Sequence, residues 1–398
     1  MNTLTEKLKL PDFNNCLTNL ANSVLKKFGL EPTAPTLPLA DKYLCGNQKN
    51  IIVMILDGFG TSIMEKHLEP DSFFRRHYVG SFDSVFPPTT VASTTSIMSG
   101  LYPNEHGWLG WDVYYPELNK NVTVFRNQEQ LSEKPGAIPT KTDSNGNKIW
   151  GEDSLNEIKP AADFNPPYKY TPYKTIIQKI NEAGGKAYFS MPFLPPFPKT
   201  LDAVLQRMKK LCDEPEQKYI YAYWNEPDTT MHRTGTKSTE THQMIADLEK
   251  KMEEFSAGLN DTLILITADH GHIDNRNLCI LDYPEILNCL VRLPSIEPRT
   301  LNLFVKDDYK ESFPTLFKKT FGDDFLLLTK EDVLREKVFG IGHDHPLLNG
   351  MLGDFVALSV AETSITNTHY VAQKMIGNHA GLTQEEITIP LIAITSSR

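Results

Sequence analysis

Three uninterrupted apolar runs of strand length, each leading into a carboxylate, constrain this chain more than any other feature. "IIVMIL" (51–56) runs into Asp57, "YIYAYW" (219–224) leads through "NEP" to Asp228, and "LILITA" (263–268) runs into Asp269. A run without polar alternation reads as an interior strand of a parallel sheet, covered on both faces. The carboxyl ends of such strands are where α/β proteins build their sites. One Asp after one strand is an ordinary turn cap. Three of them, on strands of one sheet, converge on one edge.

Helical periodicity fills the gaps between the runs. Residues 12–29 form an amphipathic pattern stopped by Gly29. In "FPPTTVASTTSIMSG" two prolines precede a helix that starts at about Thr90 and closes on Gly100. Helices over 173–183 and 199–212 follow, then one placing Met244, Leu248, Met252 and Phe255 on one face. This rhythm predicts an α/β fold, a central, mostly parallel sheet sandwiched by helices, with a smaller α+β cap. The expected division is an N-terminal helical segment and proline-rich linker (1–50), a catalytic core (51–275 plus 346–398) and the cap (276–345). "GDFVALSV" and "TIPLIAI" are expected as late core strands, and the turn-rich stretch 127–160 as a surface excursion.

The net charge of −10 argues against binding polymeric nucleic acid or an anionic membrane surface. A small anionic substrate stays compatible, because a metal site inverts the local field. No apolar stretch reaches transmembrane length, and the N-terminus lacks the apolar core of a signal peptide. The five cysteines are scattered, with no C-x-x-C pair, so reduced thiols in a cytoplasm are expected.

Histidines accompany the carboxylates. Asp228 and His232 lie one helical turn apart, Asp269-His270-Gly271-His272 packs ligand types after a strand, and His379 sits in a glycine-flanked loop. Six Asp/His groups suffice for two ions with open positions, and imidazole mixed with carboxylate suits zinc first, then manganese or iron. Such a pair serves hydrolysis or phosphoryl transfer. Thr89 and Thr90 open a helix whose N–H groups face an incoming anion, so either is a candidate nucleophile or simply an N-cap.

The segments "VMILDGFG", "FPPTTVASTTSIMSGLYPNEHG", "YWNEPDTTMHRTG", "ITADHGH" and "GNHAGL", in that order, resemble the type I phosphodiesterase/nucleotide pyrophosphatase branch of the alkaline phosphatase superfamily. That resemblance implies the alkaline-phosphatase-like fold and two divalent ions. One would be held by Asp228, His232 and His379, the other by Asp57, Asp269 and His270 with Thr90 bridging toward it. Counting nine residues back from Ser99 makes Thr90 the nucleophile, forming a phospho-threonine intermediate. His272 is expected to orient Asp269 or the substrate. Two positions depart from the family: Trp111 replaces an Asn that helps hold a phosphate oxygen, and Val91 an aromatic that stacks on a base. The expected substrate is a small phosphate ester or nucleotide, diesters ahead of monoesters. No site segment supplies an Arg except Arg233, and aromatics (Trp108, Trp111, Tyr114, Tyr115) follow the nucleophile helix. The alternatives are a phosphomonoesterase or phosphonate hydrolase on the same scaffold, or a ligand-binding protein without turnover.

Overall fold

The computed structural model describes residues 10–396. Its centre is the strand Asn50–Leu56, buried at every residue. It pairs in parallel with Lys218–Trp224 on one side and Thr262–Thr267 on the other. The full sheet runs Tyr78–Asp83, Thr388–Ser396, Thr262–Thr267, Asn50–Leu56, Lys218–Trp224, Ala187–Ser190. Thr388–Ser396 runs opposite to the other strands, antiparallel to both Thr262–Thr267 and Tyr78–Asp83. The mostly parallel α/β sheet expected from the apolar runs is therefore present.

Register sets the site. Leu56 lies opposite Trp224, and Ile55 opposite Thr267, so the three strands end together. The chain then binds across the edge: Asp57 N–H donates to Trp224 O (3.0 Å), and Asp228 N–H to Asp57 O (3.0 Å). Gly58 turns with φ +72°, where an added Cβ would meet the Asp228 Cβ at 3.0 Å. Glycine is required there both for the left-handed backbone and for the close approach.

The expected helices form at Leu17–Lys27, Thr90–Ser99, Ile176–Glu182, Leu201–Asp213 and Thr239–Ala257. Thr175, Thr200 and Ser238 accept capping hydrogen bonds from the first turns of the last three. The buried stripe of Thr239–Ala257 is Thr241, Ile245, Leu248, Met252 and Ser256. Met244 and Phe255 flank that stripe rather than centre it.

A second, seven-stranded sheet collects three separate parts of the sequence. Its order is Phe325–Thr329, Phe355–Ser359, Thr300–Leu303, Ser295–Glu297, Asp112–Tyr115, Lys120–Thr123, Gln128–Glu129. Phe355–Ser359, expected as a late core strand, pairs here, while Thr388–Ser396 joins the first sheet. Apolarity marks both as buried, but cannot tell which sheet buries them. Within 127–160, Lys141–Thr142 and Lys148–Ile149 form a small hairpin.

A fully buried ion pair ties the second sheet to the first. Arg299, just before Thr300–Leu303, donates Nε to Glu386 Oε1 (2.6 Å) and an η-nitrogen to Oε2 (2.8 Å). Its other η-nitrogen reaches Thr363 O at 2.9 Å, and Glu386 Oε1 also takes the Gly381 N–H at 2.7 Å. Burial drives the Glu386 carboxyl up, but the guanidinium together with hydrogen bonds from Thr383 and Gly381 outweighs it and holds the pKa below the usual range. Removing one partner strands a buried charge. Arg299→Met should cost about 3–5 kcal/mol in denaturant unfolding. A loss below about 1 kcal/mol would show that this pair does not anchor the sheets.

Candidate metal centre

At the shared edge of the three strands two clusters of ligating side chains lie side by side. Asp57, Asp269 and His270 form one; Asp228, His232, His272 and His379 form the other. Within each, one ligand atom per residue lies within 4.8 Å of all the rest. All are buried except His232, which is partly open. Asp228 and His232 share the helix Asp228–Thr234, so their i,i+4 spacing puts both on one face.

The surroundings hold most of these groups by one atom and leave the other bare. Asp269 Oδ1 accepts the N–H groups of Gly58 and His270, both at 3.0 Å. Asp57 Oδ2 accepts the Tyr223 hydroxyl. The second oxygens, Asp57 Oδ1 and Asp269 Oδ2, are buried without a hydrogen-bond partner, as is Asp228 Oδ1. Three imidazoles follow the same pattern. Nδ1 lies against a backbone carbonyl in His232 (Gly377 O, 2.8 Å), His270 (Gly271 O, 2.9 Å) and His379 (Pro88 O, 3.1 Å). A proton on Nδ1 satisfies those carbonyls and turns each Nε2 toward the carboxylates, where it is able to ligate a cation once unprotonated.

Charge in this enclosure is badly balanced. Burial, and then the nearby Asp57 charge, push Asp269 well above the usual carboxylate range. Burial lowers the His270 pKa, but Asp269 and Asp57 outweigh it and carry the imidazole up to about 10. Burial and then the His270 charge hold His379 well below its usual value. Asp228 is raised by burial, yet His232, His272 and His379 more than reverse this and hold it well below the usual range. Bare buried carboxylate oxygens facing imidazole lone pairs fit divalent cations, which supply the missing positive charge to both.

The helix Thr90–Ser99 points its first turn at this centre. Thr90 Oγ1 lies 3.3 Å from His270 Nε2. Thr89 occupies the N-cap position but makes no capping bond. Its hydroxyl instead donates to Glu297 Oε1 at 2.6 Å. The first N–H groups of the helix are thus left without a side-chain cap.

A cavity of about 420 Å³ opens beside the clusters, lined by Thr90, His232 and His379 and also by Trp111, Arg126 and Glu297. Trp111 is 37% exposed and stands under the Arg126 guanidinium, 5.4 Å from its ring centroid. The other aromatics expected near the site are packing residues. Trp108 is buried between Tyr168 and Tyr173 and donates Nε1–H to Thr171 O. Tyr115 is buried, and Tyr114 packs on Phe304. Arg233 is exposed on the outer face of its helix. His272 lies 3.1 Å from Asp228 Oδ1, in that cluster rather than beside Asp269.

Two residues at the cavity carry no motif in the sequence. Arg126 contradicts the expectation that no arginine but Arg233 reaches the site. Glu297 accepts both the Thr89 hydroxyl and the Trp111 N–H (2.7 Å) on one oxygen. Withdrawal from bulk water beneath the second sheet pushes its carboxyl up to about 7.

A central, mostly parallel sheet between helices, with two Asp/His clusters at its carboxyl edge, defines an alkaline-phosphatase-like protein with a metal-capable centre. The family model "Type I phosphodiesterase / nucleotide pyrophosphatase" matches residues 51–308, more than half of the chain, and the chain belongs to that family. Venom phosphodiesterase 2 of Crotalus adamanteus is 26% identical over 200 residues, 47% of this chain and 22% of that protein. Ectonucleotide pyrophosphatase/phosphodiesterase family member 1 of Mus musculus is 26% identical over 201 residues, 49% of this chain and 20% of that protein. The chain thus spans about a fifth of the length of these relatives. Murine ectonucleotide pyrophosphatase/phosphodiesterase 5 shares the fold, with a TM-score of 0.61 at 16% identity over 88% of each chain. An inactive form of that protein has been solved in complex with AMP.

Because Glu297 takes two hydrogen bonds on one oxygen, its acceptor matters more than its charge. Glu297→Gln keeps an acceptor and should shift the unfolding free energy little. Glu297→Ala removes the acceptor of the buried Thr89 hydroxyl and of the Trp111 N–H, and should cost about 1–3 kcal/mol by denaturant titration. Equal stability of the two variants would show that these hydrogen bonds hold nothing in place.

Proposed function

We propose that this protein is a metal-dependent hydrolase of phosphate esters, most active on diesters or nucleotides, working through a phospho-threonine on Thr90. The carrying observation is the pair of clusters with bare carboxylate oxygens beneath the Thr90 hydroxyl. Asp228, His232 and His379 would hold one ion; Asp57, Asp269, His270 and Thr90 the other. Two divalent cations, zinc or manganese, would there supply Lewis acidity to phosphoryl oxygens and lower the pKa of hydroxyls bound to them.

The chain's own residues supply the rest. The uncapped first turn of the helix Thr90–Ser99 offers N–H groups to a phosphoryl oxygen. The Thr90 Oγ1 proton passes to solvent, Oγ1 bonds to phosphorus, and the bond from phosphorus to the leaving-group oxygen breaks, that oxygen taking a proton from solvent as the alcohol departs. Water then attacks the phospho-threonine, Thr90 regains its hydroxyl, and the phosphate departs. Thr89 does not serve, because Glu297 holds its hydroxyl away from the clusters.

Trp111 at the cavity wall supports a planar or apolar leaving group, since stacking a base on an aromatic contributes about 1–3 kcal/mol. The one feature favouring a monoesterase is Arg126, a guanidinium able to meet the extra charge of a monoester dianion. It lies over the Trp111 ring, which supports the diester reading. The five unpaired cysteines support a reducing compartment.

Thr90→Ala should keep the bound metals while turnover falls on the order of a thousandfold or more, and Thr89→Ala should be far milder. A crippled Thr89→Ala enzyme beside an active Thr90→Ala enzyme would overturn the assignment. On substrates, bis-p-nitrophenyl phosphate should give a higher kcat/KM than p-nitrophenyl phosphate. Trp111→Ala should raise KM for the diester with metal content unchanged. The reverse substrate order would establish the monoesterase reading.

A further inference from the structure

The two clusters are unequal, and His272 widens the inequality. The Asp57 cluster offers two carboxylates and one imidazole, whereas the Asp228 cluster offers one carboxylate and three imidazoles. His272 is 1% exposed; its Nδ1 has no hydrogen-bond partner, and its Nε2 faces Asp228 Oδ1 at 3.1 Å. It thus differs from His232 and His379, whose Nδ1 atoms are held by backbone carbonyls. Leaving a buried polar group unpaired costs about 1–3 kcal/mol.

Three Nε2 atoms converge on the single bare oxygen Asp228 Oδ1: His272 at 3.1 Å, His232 at 3.3 Å and His379 at 3.6 Å. The carbonyls of Gly377 and Pro88 fix protons on Nδ1 of His232 and His379, so their Nε2 lone pairs face that oxygen. Electron-rich atoms crowded around one point repel unless a cation lies among them. The backbone also makes room for the extra ring. An added Cβ at Gly377 would lie 2.7 Å from His272 Cε1, so glycine leaves space for the imidazole where a larger residue would displace it. Gly377 O is also the acceptor that orients His232.

We propose that His272 is a fourth protein donor at the Asp228 site, giving it a three-nitrogen, one-oxygen set that holds a zinc-type ion more tightly and more selectively than the oxygen-rich Asp57 site. This rests on the two-cation reading above. Imidazole-rich sets favour zinc, cobalt and nickel, whereas carboxylate and hydroxyl donors also accept manganese and magnesium. The Asp228 site keeps its zinc through dialysis, and the Asp57 site exchanges zinc for manganese.

The test is metal binding, measured apart from turnover. Chelator-stripped full-length protein is titrated with zinc against a chromophoric chelator, and its metal content is read after gel filtration. Wild type should retain one zinc tightly and a second weakly. In His272→Met and His272→Asn the tight affinity should fall by about tenfold to a hundredfold or more, with the weak site unaffected. Asp57→Asn should remove only the weak site. Unchanged tight affinity in folded His272 variants would overturn the role of His272 and leave the two-cation reading standing. Wild-type protein that binds no zinc would overturn both. Should neither variant fold, X-ray absorption of wild type loaded with one equivalent of zinc decides it: three imidazoles at the ion support the proposal, and two refute it.

Discussion

Two carboxylates buried next to each other at the end of a sheet are what the rest of this structure answers to. Asp57 and Asp269 leave neighbouring parallel strands, and the register of those strands puts them together. Neither is exposed to solvent to any useful degree, and the Asp57 charge adds to burial in raising the cost of ionising Asp269. The nearby architecture divides their oxygens between two tasks. Tyr223 holds one oxygen of Asp57, and the Gly58 and His270 N–H groups together hold one oxygen of Asp269, fixing the carboxylate planes. The remaining oxygens face inward, where only positive charge compensates them. Sheet, turn and hydroxyl thus build a cation-hungry centre before any cation is considered.

The second sheet completes what the first one begins. Through Glu297 it takes the Thr89 hydroxyl away from the helix end, so the first turn of Thr90–Ser99 is uncapped exactly where an anion would enter. Through Trp111 and Arg126 it supplies part of the cavity lining. Its position depends on the Arg299–Glu386 pair, and Glu386 in turn holds Gly381 N–H in the loop that carries His379. One buried ion pair therefore couples the cavity wall to one of the clustered histidines.

Much of this was legible from spacing. Apolar runs mark buried strands, an i,i+4 Asp/His pair marks a helix face, and Gly100 marks a helix end. Each signal is local, and each local rule held in the tertiary structure. Arg126 and Glu297 were not legible, because each is a single charged residue outside any motif, brought to the cavity by strand pairings that a local pattern does not encode. The aromatics make the same point from the other side. Trp108, Trp111, Tyr114 and Tyr115 are alike on paper, yet three pack the loop and only Trp111 lines the cavity. Which aromatic faces solvent depends on what the second sheet places opposite it.

By itself the sequence determined the order of the central strands' chemistry: which runs are buried, that each leads to an acid, and which histidines follow. Burial pattern and ligand identity are properties of neighbouring residues, so they survive in one dimension. Only the tertiary structure decided that Phe355–Ser359 belongs to the second sheet and that His272 sits against Asp228 rather than Asp269. It also decided that Thr89 faces Glu297 while Thr90 faces His270. Those choices are set by register and by contacts between segments as far as 208 residues apart, and no local pattern encodes such a distance.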